Sequence, residues 1–181
     1  MELKKLNLGC GTDIREGWVN LDSSKLPGVD VVHDLEKLPL PFKDGEFGEI
    51  VCQDVLEHLD YVPTLKEIHR ILAPGGKVHI RVPHFTSKNN FTDPTHKKMF
   101  AFRTFSFFTE DAPKGRAYYF QFAFKKIESV RITFERSSRM FFFNALVESL
   151  ANRSYRMKYM YESTFLSRLF PAENLLVTLV K

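Results

Sequence analysis

The sequence predicts an α/β fold: a doubly wound, mostly parallel seven-stranded sheet with an antiparallel edge strand and a shortened first crossover helix. Three observations predict it. Short, nearly continuous apolar runs recur along the first half; a glycine turn, Gly9-Cys10-Gly11, closes the first; and acids close the next ones, at Asp22, Asp34 and Asp54. Continuous apolar runs suit strands covered on both faces, and glycines and acids at their carboxyl ends suit a nucleotide-like ligand held at the edge of such a sheet.

The parallel strands are expected at Lys5 to Leu8, Trp18 to Leu21, Val29 to Val32, Glu49 to Cys52 and Val78 to Val82. From Gly9 to Asp22 is only 22 − 9 = 13 positions, against about 20 in dinucleotide folds. The first crossover is therefore a very short helix or a turn. Between the fourth and fifth strands Leu65, Ile68 and Leu72 recur at helical spacing, Pro63 suits a first turn, and Pro74-Gly75-Gly76 ends the helix.

Beyond Pro83 the alternation changes. Asn89 to His96 reads as a polar loop past a strand's carboxyl end, a common position for a substrate site, and Asp93-Pro94-Thr95 reads as a turn and helix start. Phe120, Phe122 and Phe124 alternate like a strand, in a segment rich enough in aromatic rings to form a core under a lid or an apolar acceptor pocket. Ile127 to Phe134 and Leu175 to Val180 read as late strands. Between them a helix is expected over Ser137 to Leu150, with Met140, Phe143, Val147 and Leu150 on one face, followed by a basic helical region to Phe170.

The 181 residues, 44% hydrophobic and 27% charged, suit one domain, with a cofactor-binding half (1–83) and a lid and acceptor half (84–181). The absence of an apolar run of about 20 residues and of a signal-peptide core points to a cytoplasmic protein with no membrane span. The two cysteines, Cys10 and Cys52, form neither a disulfide framework nor a metal-ligand set. Lys and Arg gather in the second half, but a net charge of +4 is modest. A small-molecule acceptor is therefore expected ahead of RNA.

In Leu6-Asn7-Leu8-Gly9-Cys10-Gly11, Asp22, Asp34-Leu35, Val55-Leu56-Glu57-His58-Leu59 and Leu72-Ala73-Pro74-Gly75-Gly76-Lys77 the chain resembles the class I S-adenosylmethionine-dependent methyltransferases, type 11 branch. The resemblance covers about the first half. It implies a Rossmann-like fold, S-adenosyl-L-methionine as cofactor, and binding residues Leu8, Gly9, Cys10, Gly11, Asp22, Ser23, Asp34, Leu35, Gln53, Asp54, Val55 and His58. Asp22 would accept from the ribose hydroxyls, Asp34 and Leu35 would border the adenine, and Gln53, Asp54 and Val55 would line the sulfonium side. Two positions depart from the family pattern: Asn7 stands where many members carry an acid, and Asp13 where many carry a third glycine.

Because the sulfonium is its own activated leaving group, the protein has mainly to align the acceptor and exclude water. An acceptor of high pKa needs a base, for which His58, His84 and His96 are the candidates, in that order. His84, Asp93 and His96 match no recognised metal spacing, and no metal is expected. An RNA methyltransferase, a non-catalytic S-adenosylmethionine-binding regulatory protein and a nicotinamide oxidoreductase remain as alternatives. The short glycine-to-acid interval counts against the last.

Overall fold

The computed structural model describes residues 3–113, 118–137 and 142–181. Among these, seven strands form one sheet: β1 (Lys4–Leu8), β2 (Val19–Asp22), β3 (Val31–Val32), β4 (Phe47–Gln53), β5 (Leu72–Pro83), β6 (Lys126–Ile132) and β7 (Asn174–Val180), in the order β3-β2-β1-β4-β5-β7-β6. The first five are parallel. β7 runs antiparallel to both β5 and β6, so the antiparallel pair closes one edge with β6 outermost. The order turns back between β1 and β4, the switch point where open α/β sheets bind ligands.

No helix lies between β1 and β2 among the described residues, as the short interval requires. Two buried amides hold the connection instead. Asn7 Nδ2 donates to Asp13 O (2.6 Å) and Asn20 Oδ1 (3.1 Å), while Arg15 N donates to Asn20 Oδ1 (2.9 Å) and Asn20 Nδ2 to Arg15 O (3.1 Å). Side-chain amides thus satisfy main-chain groups that a helix would have satisfied internally.

Helix α1 (Tyr61–Ile71) connects β4 to β5 and buries Thr64, Leu65, Ile68 and Ile71. Full burial of Leu65 and Ile68 contributes about 1.5–3 kcal/mol each before conformational entropy is counted. The helix stops at Ile71, and β5 begins at Leu72 with Pro74-Gly75-Gly76 accommodated where its register against β4 slips. Four further helices follow: α2 (Asn89–Thr92), α3 (Asn144–Asn152), α4 (Tyr155–Ser163) and α5 (Leu166–Leu169).

Three expectations need correction. Phe120, Phe122 and Phe124 lie outside the sheet: Phe124 exchanges main-chain hydrogen bonds with Phe108 and Glu110, and the alternation serves ring packing, with Phe108 and Phe120 centroids 4.4 Å apart and His69 and Phe124 5.2 Å. No helix starts at Asp93, which instead ends α2 and closes a turn by accepting from Thr95 N at 2.8 Å. Helix α3 starts at Asn144 rather than Ser137, and its buried positions are Asn144, Glu148 and Ala151, while Leu150 is exposed. The reason is polar: Glu148 accepts from Arg131 and Phe134 N, and Asn144 Nδ2 donates to Glu135 O. Met140 lies outside the described residues.

Candidate functional site

Two cavities share a wall at the carboxyl edge of the parallel strands. The smaller, about 460 Å³, is lined by Gly9, Cys10 and Asp13 after β1, by Gln53 and Asp54 at the end of β4, and by Arg81 of β5. It lies at the switch point. The larger, about 910 Å³, is bounded by Glu57, His58, Asp93, Thr95 and His96, and Asp54 and Arg81 belong to both.

Gly9 is required by its backbone and its surroundings. Its φ is +70°, in the region that favours glycine, and a Cβ there would fall 2.4 Å from Val55 Cγ2. Val55, expected on the sulfonium side, is buried and packs under this turn. The amides of Gly9 and Cys10 both donate to Leu21 O, at 2.8 and 2.9 Å, tying the turn to β2 beside Asp22. Asp22 accepts from Gly11 N at 2.8 Å and Ser24 N at 2.9 Å, so its carboxylate is fixed in orientation at the end of β2 with acceptor capacity left for ligand hydroxyls. Burial, with the Asp22 charge beside it, pushes the Cys10 thiol up and keeps it neutral. Leu8 is fully buried beneath the turn, and Ser23 follows Asp22 at the surface.

Asp54 adopts a positive φ of 55°, which Asp tolerates better than most residues. Arg81 holds it there: Nε donates to Asp54 Oδ1 and Oδ2 at 2.9 and 3.0 Å, Nη2 pairs with Oδ2, and Asp54 N donates to Arg81 O at 2.9 Å. Asp13 pairs with Arg15 at 3.1 Å, and Arg15 also reaches Gln53 Oε1 at 3.3 Å. The smaller cavity is therefore lined by one carboxylate–guanidinium pair, Asp54–Arg81, and by the carboxylate of a second, Asp13–Arg15. Asn7 explains the missing acid, since both protons of its amide brace the turn.

Asp34 and Leu35 lie in the loop after β3, at the same edge of the sheet but outside both cavities' linings. Asp34 Oδ1 accepts from Glu36 N at 3.0 Å, and Leu35 is buried. Glu36 in turn pairs with Lys97 at 3.1 Å, which connects this loop to the segment carrying His96.

The three candidate histidines part company. His84 is fully buried with both ring nitrogens engaged, Nδ1 to Thr86 Oγ1 at 2.8 Å and Nε2 to Glu162 Oε1 at 3.0 Å, and it lines neither cavity. Its ring joins the Thr86 turn to Glu162 within the core. His58 and His96 stand together on the larger cavity, their ring centroids 4.7 Å apart. The main chain brings them there: Lys97 N and Lys98 N both donate to Glu57 O, at 2.7 and 3.2 Å.

Sequence reasoning missed Arg81 and gave Glu57 no chemical role. A cation within the apolar run Val78 to Val82 was the available signal for Arg81. Glu57 is fully buried, neither carboxylate oxygen has a hydrogen-bonding partner among the described residues, and burial pushes its carboxyl up to about 7.

Residues 4–80 match the family model described as a methyltransferase domain. An uncharacterized protein of Methanocaldococcus jannaschii is 49% identical over 45 residues, 25% of this chain and 20% of that protein. A demethylmenaquinone methyltransferase of Staphylococcus saprophyticus is 33% identical over 72 residues, 38% of this chain and 30% of that one. The matched stretches thus span less than a third of those relatives. Among solved structures, a SAM-dependent methyltransferase from Archaeoglobus fulgidus superposes with a TM-score of 0.61 at 19% identity, covering 99% of this chain and 86% of that one. The phosphoethanolamine N-methyltransferase 2 of Haemonchus contortus, in complex with S-adenosyl-L-methionine, gives 0.54 at 17% identity, covering 100% and 49%. The fold is that of the Rossmann-like methyltransferases.

Proposed function

We propose, from the methyltransferase-domain match over residues 4–80 and from the two cavities that meet at Asp54 and Arg81, that this protein binds S-adenosyl-L-methionine and methylates a small-molecule acceptor. The shared wall carries the reading. A donor in the smaller cavity and an acceptor in the larger one would meet where Asp54 and Arg81 border both, the contact an in-line displacement needs. When bound, the cofactor supplies a sulfonium methyl whose transfer leaves a neutral thioether.

The residues present fit that cofactor. The Gly9-Cys10-Gly11 turn lets main chain approach closely, the oriented Asp22 carboxylate suits the ribose, and the Asp13–Arg15 and Asp54–Arg81 pairs suit the charged methionine end. On this reading the adenine lies toward Asp34 and Leu35, in the loop after β3. His58 Nδ1 lies 2.8 Å from Thr95 Oγ1, and the Thr95 hydroxyl donates to Asp93 Oδ1 at 2.6 Å. Because that hydroxyl proton is committed to Asp93, Oγ1 accepts from His58 Nδ1–H, and the Nε2 lone pair stays free on the cavity side.

Two observations favour a small acceptor over RNA. Several cations of the second half are paired: Arg131 and Arg136 with Glu148, Lys88 with Glu135, and Lys97 with Glu36. The larger cavity is also of a size that suits a small ligand. No described helix is long and apolar enough to cross a membrane, which accords with action in the cytoplasm. Parallel calorimetric titrations with S-adenosylmethionine, S-adenosylhomocysteine and NAD test the reading. It expects heat from the first two alone, and binding of NAD, or of none, overturns it.

A further inference from the structure

We propose that Glu57, His58 and His96 form a binding site for a divalent first-row metal ion, zinc by its donor set, on the wall of the larger cavity. One ligand atom from each lies within 4.8 Å of the others. Tetrahedral zinc, bound at about 2.0–2.1 Å, wants its ligand atoms about 3.4 Å apart. Side-chain adjustment of at most about 1.4 Å therefore closes the set.

Glu57 Oε1 and Oε2 and His96 Nδ1 are buried without a hydrogen-bonding partner among the described residues. Burying such groups unpaired is costly, whereas a cation engages them together. Thr95 fixes the tautomer of His58 that leaves Nε2 free to ligate. His96 Nε2 faces Asp93 Oδ2 at 3.8 Å, so Asp93 stands behind both imidazoles, one through Thr95 and one directly. A carboxylate behind ligating histidines is the usual outer arrangement of a metal site.

Two imidazoles and one carboxylate suit zinc, iron or manganese rather than calcium or magnesium. Three protein ligands leave a coordination position for another molecule. On the methyl-transfer reading, on which this last step rests, that position faces the acceptor cavity and selects an acceptor bearing an oxygen donor.

The test uses the full chain stripped of metal by chelator and titrated with Co²⁺, followed by visible absorption, then with Zn²⁺ in competition. The expected result is one Co²⁺ per chain, displaced by Zn²⁺, with affinity at least about tenfold lower in Glu57→Gln, His96→Ala and Thr95→Val and unchanged in His33→Ala. Circular dichroism confirms that each variant is folded, and Glu57→Gln keeps the buried volume. No Co²⁺ binding by the parent chain, or parental affinity in both Glu57→Gln and His96→Ala, overturns the site. S-adenosylmethionine is titrated into the same samples: cobalt binding without cofactor binding refutes the methyl-transfer reading and spares the metal site, and the converse result does the reverse.

Discussion

Replacing Gly9 by alanine combines two separate penalties, and Gly11 supplies the control. At Gly9 the φ of +70° places an alanine in the left-handed region, and its Cβ meets Val55 Cγ2 at 2.4 Å and Cγ1 at 3.2 Å. The backbone term is roughly 1–2 kcal/mol and the overpacking term roughly 1–3 kcal/mol, about 2–5 kcal/mol together. For a chain of this size each kcal/mol lowers Tm by about 2–4 °C, so Gly9→Ala is expected to lose about 4–20 °C. At Gly11 the φ is +49° but nothing lies within 4 Å of the added Cβ, leaving only the backbone term, about 2–8 °C. Calorimetric unfolding of the three proteins measures both losses. If Gly9→Ala melts within about 1 °C of the parent, or Gly11→Ala falls further than Gly9→Ala, the close packing of this turn on Val55 is wrong.

Further outcomes follow from the site and its supports. Asp22→Ala removes the acceptor offered to the ribose and is expected to weaken S-adenosylmethionine binding at least about tenfold in calorimetry, since hydrogen bonds to a charged group contribute roughly 1.5–3 kcal/mol. His84→Ala is expected to cost about 2–5 kcal/mol of stability by denaturant titration, by emptying a core position and leaving Glu162 without its imidazole, while cofactor affinity stays parental. The Arg70 guanidinium beside Glu67 holds its carboxyl below the usual range, so the stabilisation is complete above that range and is lost as pH falls through the lowered value. Glu67→Gln is therefore expected to melt below the parent at pH 7, with the gap narrowing as pH falls below the free carboxyl's value of about 4.3.

The first half of the fold was legible because each local signal served the global one. The Gly9–Asp22 interval anticipated a crossover without a helix, and Leu65 and Ile68 point into the core as their spacing implied. The second half was harder because polar contacts, not apolar period, set its boundaries. Glu148 draws α3 onto Arg131 and Phe134, and rings rather than a strand partner account for the Phe120 to Phe124 alternation. The site divided along the same line. Gly9, Cys10, Gln53 and Asp54 meet on one cavity because one sheet edge collects the ends of neighbouring strands. His58 and His96 are 38 positions apart (96 − 58), and contacts far apart in the chain bring them together: the hydrogen bonds from Lys97 and Lys98 to the Glu57 carbonyl and the one between His58 and Thr95. Spacing along the chain carries no trace of that contact, so no sequence motif marks Glu57, His58 and His96 as a set.

A crystal structure of the full chain with S-adenosylhomocysteine tests the central claim most directly. The account predicts the ribose hydroxyls on Asp22, the adenine beside Asp34 and Leu35, and the sulfur at the wall formed by Asp54 and Arg81, facing the cavity of His58 and His96. A ligand seated elsewhere, or one whose sulfur points away from that wall, contradicts it.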